Sequence, residues 1–340
     1  MMTVKNNDIE RKMSFSGMTF AKMLYLCGMK HKIYVASSWR NEHYPEIVAK
    51  FWLVLLVGLL SVLRMSGQTN PVFKLVKESG HFYFTASVNG VKAKLMFESG
   101  VPGFMMGHAF YEAHKDSLKM EVKPCDEKIR YLGGIHHVKQ SASHARLRIG
   151  DAIFDGPVKI VEDDDKLRFP IQMLHHASDS SSIVWMDLEK SVFRVISRER
   201  LQGLVKKAKT MDLSFNKWGM PMVKTTLTLK VNGRQTSIEG HFIADMGNAS
   251  LLFLNKSQTN VVKMMEDGWI VLKEARNKEG KVVAEGFYAD RVTICDRNFK
   301  GVSVGVNPFK SIDEYGILGL KFFNIPTIFD FGEKKLYLCK

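Results

Sequence analysis

The sequence predicts an all-β, bilobal protein: two duplicated lobes, each a small β-barrel, with a cleft between them and few short helices. Three observations carry this expectation. From Val72 onward, short apolar-rich runs alternate with Gly and Asn turns at strand spacing. Phe97-Glu98-Ser99-Gly100 and Ala244-Asp245-Met246-Gly247 each set an acidic residue, with a glycine two positions on, between strongly apolar stretches. Three further segments recur in the same order: Val88-Asn89-Gly90 as Val231-Asn232-Gly233, Ile149-Gly150-Asp151 as Ile294-Cys295-Asp296, and Met186-Asp187 as Phe329-Asp330. The four separations are 147 residues for the acidic turns and 143, 145 and 143 for the others. An unbroken order at nearly constant offset marks an internal repeat, with small length changes falling in surface loops.

The elements follow from the N-terminus. Residues 1–67 form an extension without a core pattern of its own. Within it Phe51–Leu63 is an uncharged apolar run of thirteen between Lys50 and Arg64, with small residues at Ser66 and Gly67. That pattern suits the h-region of a secretory signal peptide and is short of the ~20 residues of a membrane span. The fifty residues ahead of it leave two expectations open: export from a later start, or a membrane anchor through 51–63. The first lobe is expected over 68–200, opening with strands at Phe73–Val76, His81–Val88 and Val91–Phe97 that lead into the turn at Glu98. A short helix is expected at His108–Leu118 before the chain returns to strands. Ser197–Thr210 is the one lengthy non-strand stretch, so a linker helix is placed at 201–210. The second lobe, 211–340, repeats the plan, with a helix at Ser257–Met265 capped by Asn255 or Ser257.

Composition narrows the function classes. With 340 residues and 45% hydrophobic content the chain can bury a substantial core, which excludes disorder. The net charge of +14 is partly a property of the extension, which holds nine Lys/Arg against four Asp/Glu, leaving 40 against 31 from residue 68 onward. Those charges are scattered, so nucleic acid is not an expected partner. Cys27, Cys125, Cys295 and Cys339 lack metal-ligand spacing. Cys295 and Cys339 both fall on late strands of the second lobe, where one bridge is conceivable.

The chemistry is expected at the acidic turns. A lone carboxylate between buried strands is costly. Two brought face to face share a proton, because like charges at contact cannot both ionise, and that is acid–base machinery. Other clusters are weaker. His136-His137 and His175-His176 are neighbours on strands, so their side chains point to opposite faces and do not grip one ion; they are expected to be exposed. Glu162–Asp165 lacks the spaced oxygens of a calcium loop and is expected to be a solvated turn. Ser180–Ser182 has no nucleophile elbow around it. Met105, Met106 and Met246 are expected as core filler that could line a cleft.

With these motifs in view, the chain from about 72 to 340 resembles the aspartic peptidase fold, either pepsin-like or a fused pair of retropepsin-like lobes. That family carries Asp-Thr/Ser-Gly in each lobe, matched here by Glu98-Ser99-Gly100 and Asp245-Met246-Gly247. A late pair of apolar residues and a glycine is matched by Ile317-Leu318-Gly319, and the closing hairpin by Ile328–Phe331 and Lys335–Leu338. The resemblance implies Asp245 and Glu98 as the catalytic pair holding a water. It implies substrate contacts from Ser99, Gly100, Met246, Gly247 and Asn248, and from a covering hairpin, the flap, at Tyr131, Gly133 and Gly134. It implies no metal or cofactor and a peptide or protein substrate; the apolar run 51–63 separately suits an exported, periplasmic or extracellular setting, with a membrane anchor as the alternative, and oligomeric state stays open. Three departures stand out. Glu98 is longer than aspartate by a methylene, Met246 lacks the hydroxyl that braces the loops, and the late glycine signature is absent from the first lobe, where an offset of 143 leads from Gly319 to His176. An aspartic-type endopeptidase is expected, with an inactive peptide- or protein-binding relative as the alternative and a membrane-anchored structural protein as a remoter one.

Overall fold

Asn-Gly turns set the first hairpin of each half. Asn89 and Asn232 take left-handed φ values of 46° and 49°, followed by Gly90 at 88° and Gly233 at 78°, the two-residue turn that matches strand twist. The first joins β3 (His81–Val88) to β4 (Val91–Glu98), the second β14 (Pro221–Val231) to β15 (Arg234–Ala244). In the computed structural model the described residues are 71–131, 134–276, 280, 282–309 and 314–339. The expected extension 1–67, with its apolar run 51–63, therefore lies outside the described residues, as does Gly133. Thr69–Lys340 forms one compact unit.

The remaining strands of the first half are β1 (Phe73–Lys74), β2 (Val76–Glu78), β5 (Phe104–Gly107), β6 (Val122–Tyr131), β7 (Gly134–Ile149), β8 (Ala152–Val161), β9 (Leu167–Pro170), β10 (His175–His176), β11 (Ile183–Asp187) and β12 (Val192–Val195). Those of the second are β13 (Lys209–Phe215), β16 (Leu252–Asn255), β17 (Lys273–Arg276), β18 (Val282–Ile294), β19 (Arg297–Asn307), β20 (Glu314–Leu318), β21 (Thr327–Asp330) and β22 (Lys335–Leu338). The protein is all-β and bilobal. Nine strands, β2 to β10, make one sheet, and thirteen make the other, in the order β1-β12-β11-β21-β22-β13-β14-β15-β20-β16-β19-β18-β17.

The pairings repeat between halves. β4 runs parallel to β9 as β15 does to β20, and β5 parallel to β8 as β16 does to β19. The β6–β7 hairpin has its counterpart in β17–β18. Asp187 and Asp330 are both buried and both accept a hydrogen bond from the amide three residues on, Lys190 and Glu333. The halves meet where β11 pairs antiparallel with β21, a seam inside the larger sheet. Phe84, Phe97, Phe104, Phe154, Phe169 and Phe193 fill the first half, edge to face except for the tilted Phe97–Phe193 pair, fixing β4 just before Glu98.

Three α-helices occur among the described residues: α1 (His108–Leu118), α2 (Arg198–Leu204) and α3 (Thr259–Glu266). α1 has the expected bounds. α2 is shorter than the linker expected at 201–210, because the chain re-enters a strand at Lys209, where β13 pairs with β22. The cap expected at Asn255 or Ser257 is not formed; α3 begins after Gln258 with no side-chain cap. Asn255 Oδ1 instead accepts the amides of Ser257 and Phe309, and its Nδ2 donates to the Glu314 carbonyl. Cys295 and Cys339 are free thiols, not a bridge. Cys295 holds a left-handed turn beside Met211, whereas Cys339 packs against a different cluster around Ile183, Ile196 and Ile328.

Candidate active site

The first carboxyl group is delivered by the end of β4 and the second by the residue after β15, at equivalent points of the two halves. Both are nearly inaccessible, Glu98 at 3% and Asp245 at 4% exposure, and each carboxyl group lies against the glycine of the opposite loop. Each loop folds back on its own acid in the same way: the Gly100 amide donates to Glu98 Oε1 at 3.2 Å and the Gly247 amide to Asp245 Oδ1 at 2.8 Å. The glycines are required by close approach. A Cβ on Gly100 would overlap the Asp245 carboxyl group, and one on Gly247 would overlap that of Glu98.

Ser99 locks the two loops. Its buried hydroxyl donates to the Ala244 carbonyl at 2.6 Å and accepts the Met246 amide at 2.8 Å. Met246 occupies the matching place in the second loop, fully buried and with no hydroxyl to return the bond. Met105 and Met106 are also buried, so none of the three lines an open surface. Asn248 turns inward: its Oδ1 accepts from Ser250 N at 2.9 Å and Ser250 Oγ at 2.7 Å, which caps its own loop. Tyr131 and Gly134 face each other where the β6–β7 hairpin closes.

Asp245 is pushed well above the usual carboxylate range, first by burial, then by the negative charge of Glu98 and by the hydrogen bond between them. The site therefore favours the protonated form of Asp245. Glu98 has a further neighbour that sequence reasoning missed. Arg168 on β9 reaches Glu98 Oε2 through Nη1 at 3.3 Å and Asp164 Oδ2 through Nε at 2.7 Å. Asp164 is therefore no solvated turn residue: it holds this guanidinium, while Asp163 accepts from the His137 amide. His81, at the start of β3, has its pKa lowered by burial and by the charges of Lys166 and Arg168. Gln172 Nε2 donates to the Ser99 carbonyl at 3.2 Å and the Gly219 carbonyl at 3.4 Å, spanning the two halves. A lone arginine inside Leu167-Arg168-Phe169-Pro170 was the one available signal, since a buried cation needs an acid.

Register also corrects the late signature. Glu98 opposes Pro170 across β4–β9, and Ala244 opposes Leu318 across β15–β20, so Arg168-Phe169-Pro170 is the counterpart of Ile317-Leu318-Gly319, not the segment at His176. The offset misleads because Asp187 lies 17 positions after Pro170 but Asp330 only 11 after Gly319. His176 is itself buried rather than exposed, with Nδ1 bonded to Ser178 Oγ at 2.7 Å. Ser181 and Ser182 bind Asp179 and the Gln172 carbonyl. No group of three metal-ligating side chains occurs among the described residues.

No family model matches the chain, and no curated protein matches it in sequence. Among solved structures it is similar to an aspartic proteinase from Irpex lacteus, at 10% identity and a TM-score of 0.49, over 80% of this chain and 97% of that one.

Proposed function

We propose that the chain is an aspartic-type peptide hydrolase that uses Glu98 and Asp245 on a water held between them. The observation that carries this reading is the face-to-face placement of two buried carboxyl groups, each lying against the glycine of the other's loop, at equivalent points of the two halves. With the proton on Asp245, Glu98 takes a proton from the water as its oxygen bonds to the scissile carbonyl carbon, and Asp245 gives its proton to the carbonyl oxygen. Collapse of the tetrahedral diol breaks the C–N bond. The proton now on Glu98 goes to the leaving nitrogen, and a diol hydroxyl returns one to Asp245. Proton transfers of this kind contribute roughly 10²–10⁴-fold each. An extended peptide would bind by strand pairing beneath the β6–β7 hairpin. Export through residues 51–63, or anchoring by them, belongs to this reading.

A second reading, a peptide-binding module without catalysis, is favoured by one observation. Glu98 is already engaged by Asp245, Arg168 and the Gly100 amide, which leaves little of it for a water. The full chain should be incubated with a denatured-protein mixture between about pH 3 and 7 and the products read by mass spectrometry. Cleavage that disappears in both Asp245→Asn and Glu98→Gln supports hydrolysis. No cleavage, or cleavage indifferent to both substitutions, favours the binding module.

A further inference from the structure

Around the carboxyl pair the two halves differ in charge at one equivalent strand position. β9 and β20 occupy the same place, each parallel to the strand that delivers an acid, and the register equates Arg168 with Ile317. Ile317 is buried in an apolar cluster with Met220, Met222 and Ile243. Arg168 sits in the same kind of slot but carries a charge, with its side chain only 13% exposed and both its carboxylate partners close to fully buried, Glu98 at 3% and Asp164 at 11%. A buried guanidinium with two acidic partners is an expensive feature to build where an isoleucine fits. Its geometry is also specific. Nε is held by Asp164, which fixes the guanidinium plane, and Nη1 is thereby aimed at Glu98 and at Met96 Sδ, 3.3 Å from each.

Resting on the hydrolase reading above, we propose that Arg168 is a positioning residue that makes the two acids unequal: it holds Glu98 as the anion that accepts the water's proton and leaves Asp245 as the proton donor. The charged groups that face Glu98 are Arg168 on β9, His81 from β3 and Asp245 from the opposite loop, with Lys166 acting on His81; Asp164 faces it through Arg168. Burial and the charges of Lys166 and Arg168 lower the pKa of His81, and Arg168 is the cation in direct contact with Glu98. Arg168 contacts Glu98 directly and acts on Asp245 only at longer range, so its charge separates the two acids. Asp164 acts one step further out, by holding the arginine in line.

The test uses the full chain and three substitutions: Arg168→Ile, which installs the residue of the other half, Arg168→Lys, which keeps the charge, and Asp164→Asn, which releases Arg168. Two readouts are taken: kcat/KM against pH on a peptide the protein cleaves, and the carboxyl titration of the Glu98/Asp245 pair by NMR of ¹³C-labelled carboxyls, which does not need activity. Loss of an opposite charge at contact raises a carboxyl midpoint by about 1–3 units. Arg168→Ile is therefore expected to raise the lower midpoint of the pair, and the acid limb of kcat/KM, by about 1–2 pH units, with Asp164→Asn giving a smaller rise and Arg168→Lys holding near the parent. If Arg168→Ile does not fold, the Asp164→Asn rise set against the Arg168→Lys profile decides the question. An unmoved titration, or a Lys variant that shifts as far as the Ile variant, overturns the proposal. A shifted titration in a protein that cleaves nothing supports the charge assignment while overturning hydrolysis; cleavage with an unmoved acid limb does the reverse.

Discussion

A carboxyl group that binds its proton more tightly when folded than when unfolded ties stability to pH. Asp245 is such a group, raised chiefly by burial and then by Glu98. Its contribution is whole below the ordinary carboxyl midpoint of about 4 and is lost as pH rises through the raised value. Asp245→Asn cannot ionise, so its Tm relative to the parent should climb by a few degrees between about pH 4 and 8; a constant difference in calorimetry would rule this out. Ser99→Ala strips the partner from a buried carbonyl and a buried amide at once and should cost about 1–3 kcal/mol in denaturant unfolding. Glu98, Asp245 and half of the Ser99 lock were legible in the sequence because each lies within a few residues of its motif. Arg168 was not, since it meets Glu98 through the β4–β9 register, 70 positions away.

At the scale of elements, turn chemistry was the most legible layer. Both Asn-Gly hairpins formed where the sequence placed them, because few residues other than Asn and Gly accept two consecutive left-handed conformations. The two asparagines do unequal further work. Asn89 donates to the Leu118 carbonyl at 2.8 Å, tying the end of α1, and accepts the Arg146 amide at 2.6 Å, whereas Asn232 donates to the Trp269 carbonyl at 3.2 Å. Asn89→Ala should therefore destabilise by about 1–3 kcal/mol and Asn232→Ala by less, measured as shifts in urea midpoint at unchanged slope. The cap of α3 and Asp164, within an otherwise exposed run at 162–165, depart from expectation for related reasons. Asn255 and Asp164 both have side chains that suit local turns, but Asn255 also binds the Glu314 carbonyl on β20, 59 positions on, and Asp164 holds Arg168 on β9, four positions on, which in turn reaches Glu98.

For the whole molecule the seam between β11 and β21 governs how the halves behave. Each closing hairpin covers the edge of the other, and α2 adds a clamp: Arg198 grips both oxygens of Asp330, which is fully buried at the end of β21. Arg198→Met leaves that carboxylate without its cation. Loss of one partner of a fully buried pair costs about 3–5 kcal/mol, and with Arg198 39% exposed the expected loss is nearer 2–3 kcal/mol. A first half expressed alone, ending after α2, would present β11 as an open edge and should aggregate, while the intact protein should unfold in one transition by both fluorescence and circular dichroism. The repeat was legible because its anchors are turns. The way two halves share one sheet was not, since it depends on which edges meet. The same sheet also decides how the molecule bears load. β1 is held by one neighbour through two residue pairs, Phe73 with Phe193 and Lys74 with Val192, whereas β22 is gripped on both sides, by β21 and β13. Pulled from its two ends, the folded unit should yield first at β1, which acts as a mechanical fuse: tension from the N-terminal side peels away a short strand and leaves the carboxyl pair unstrained.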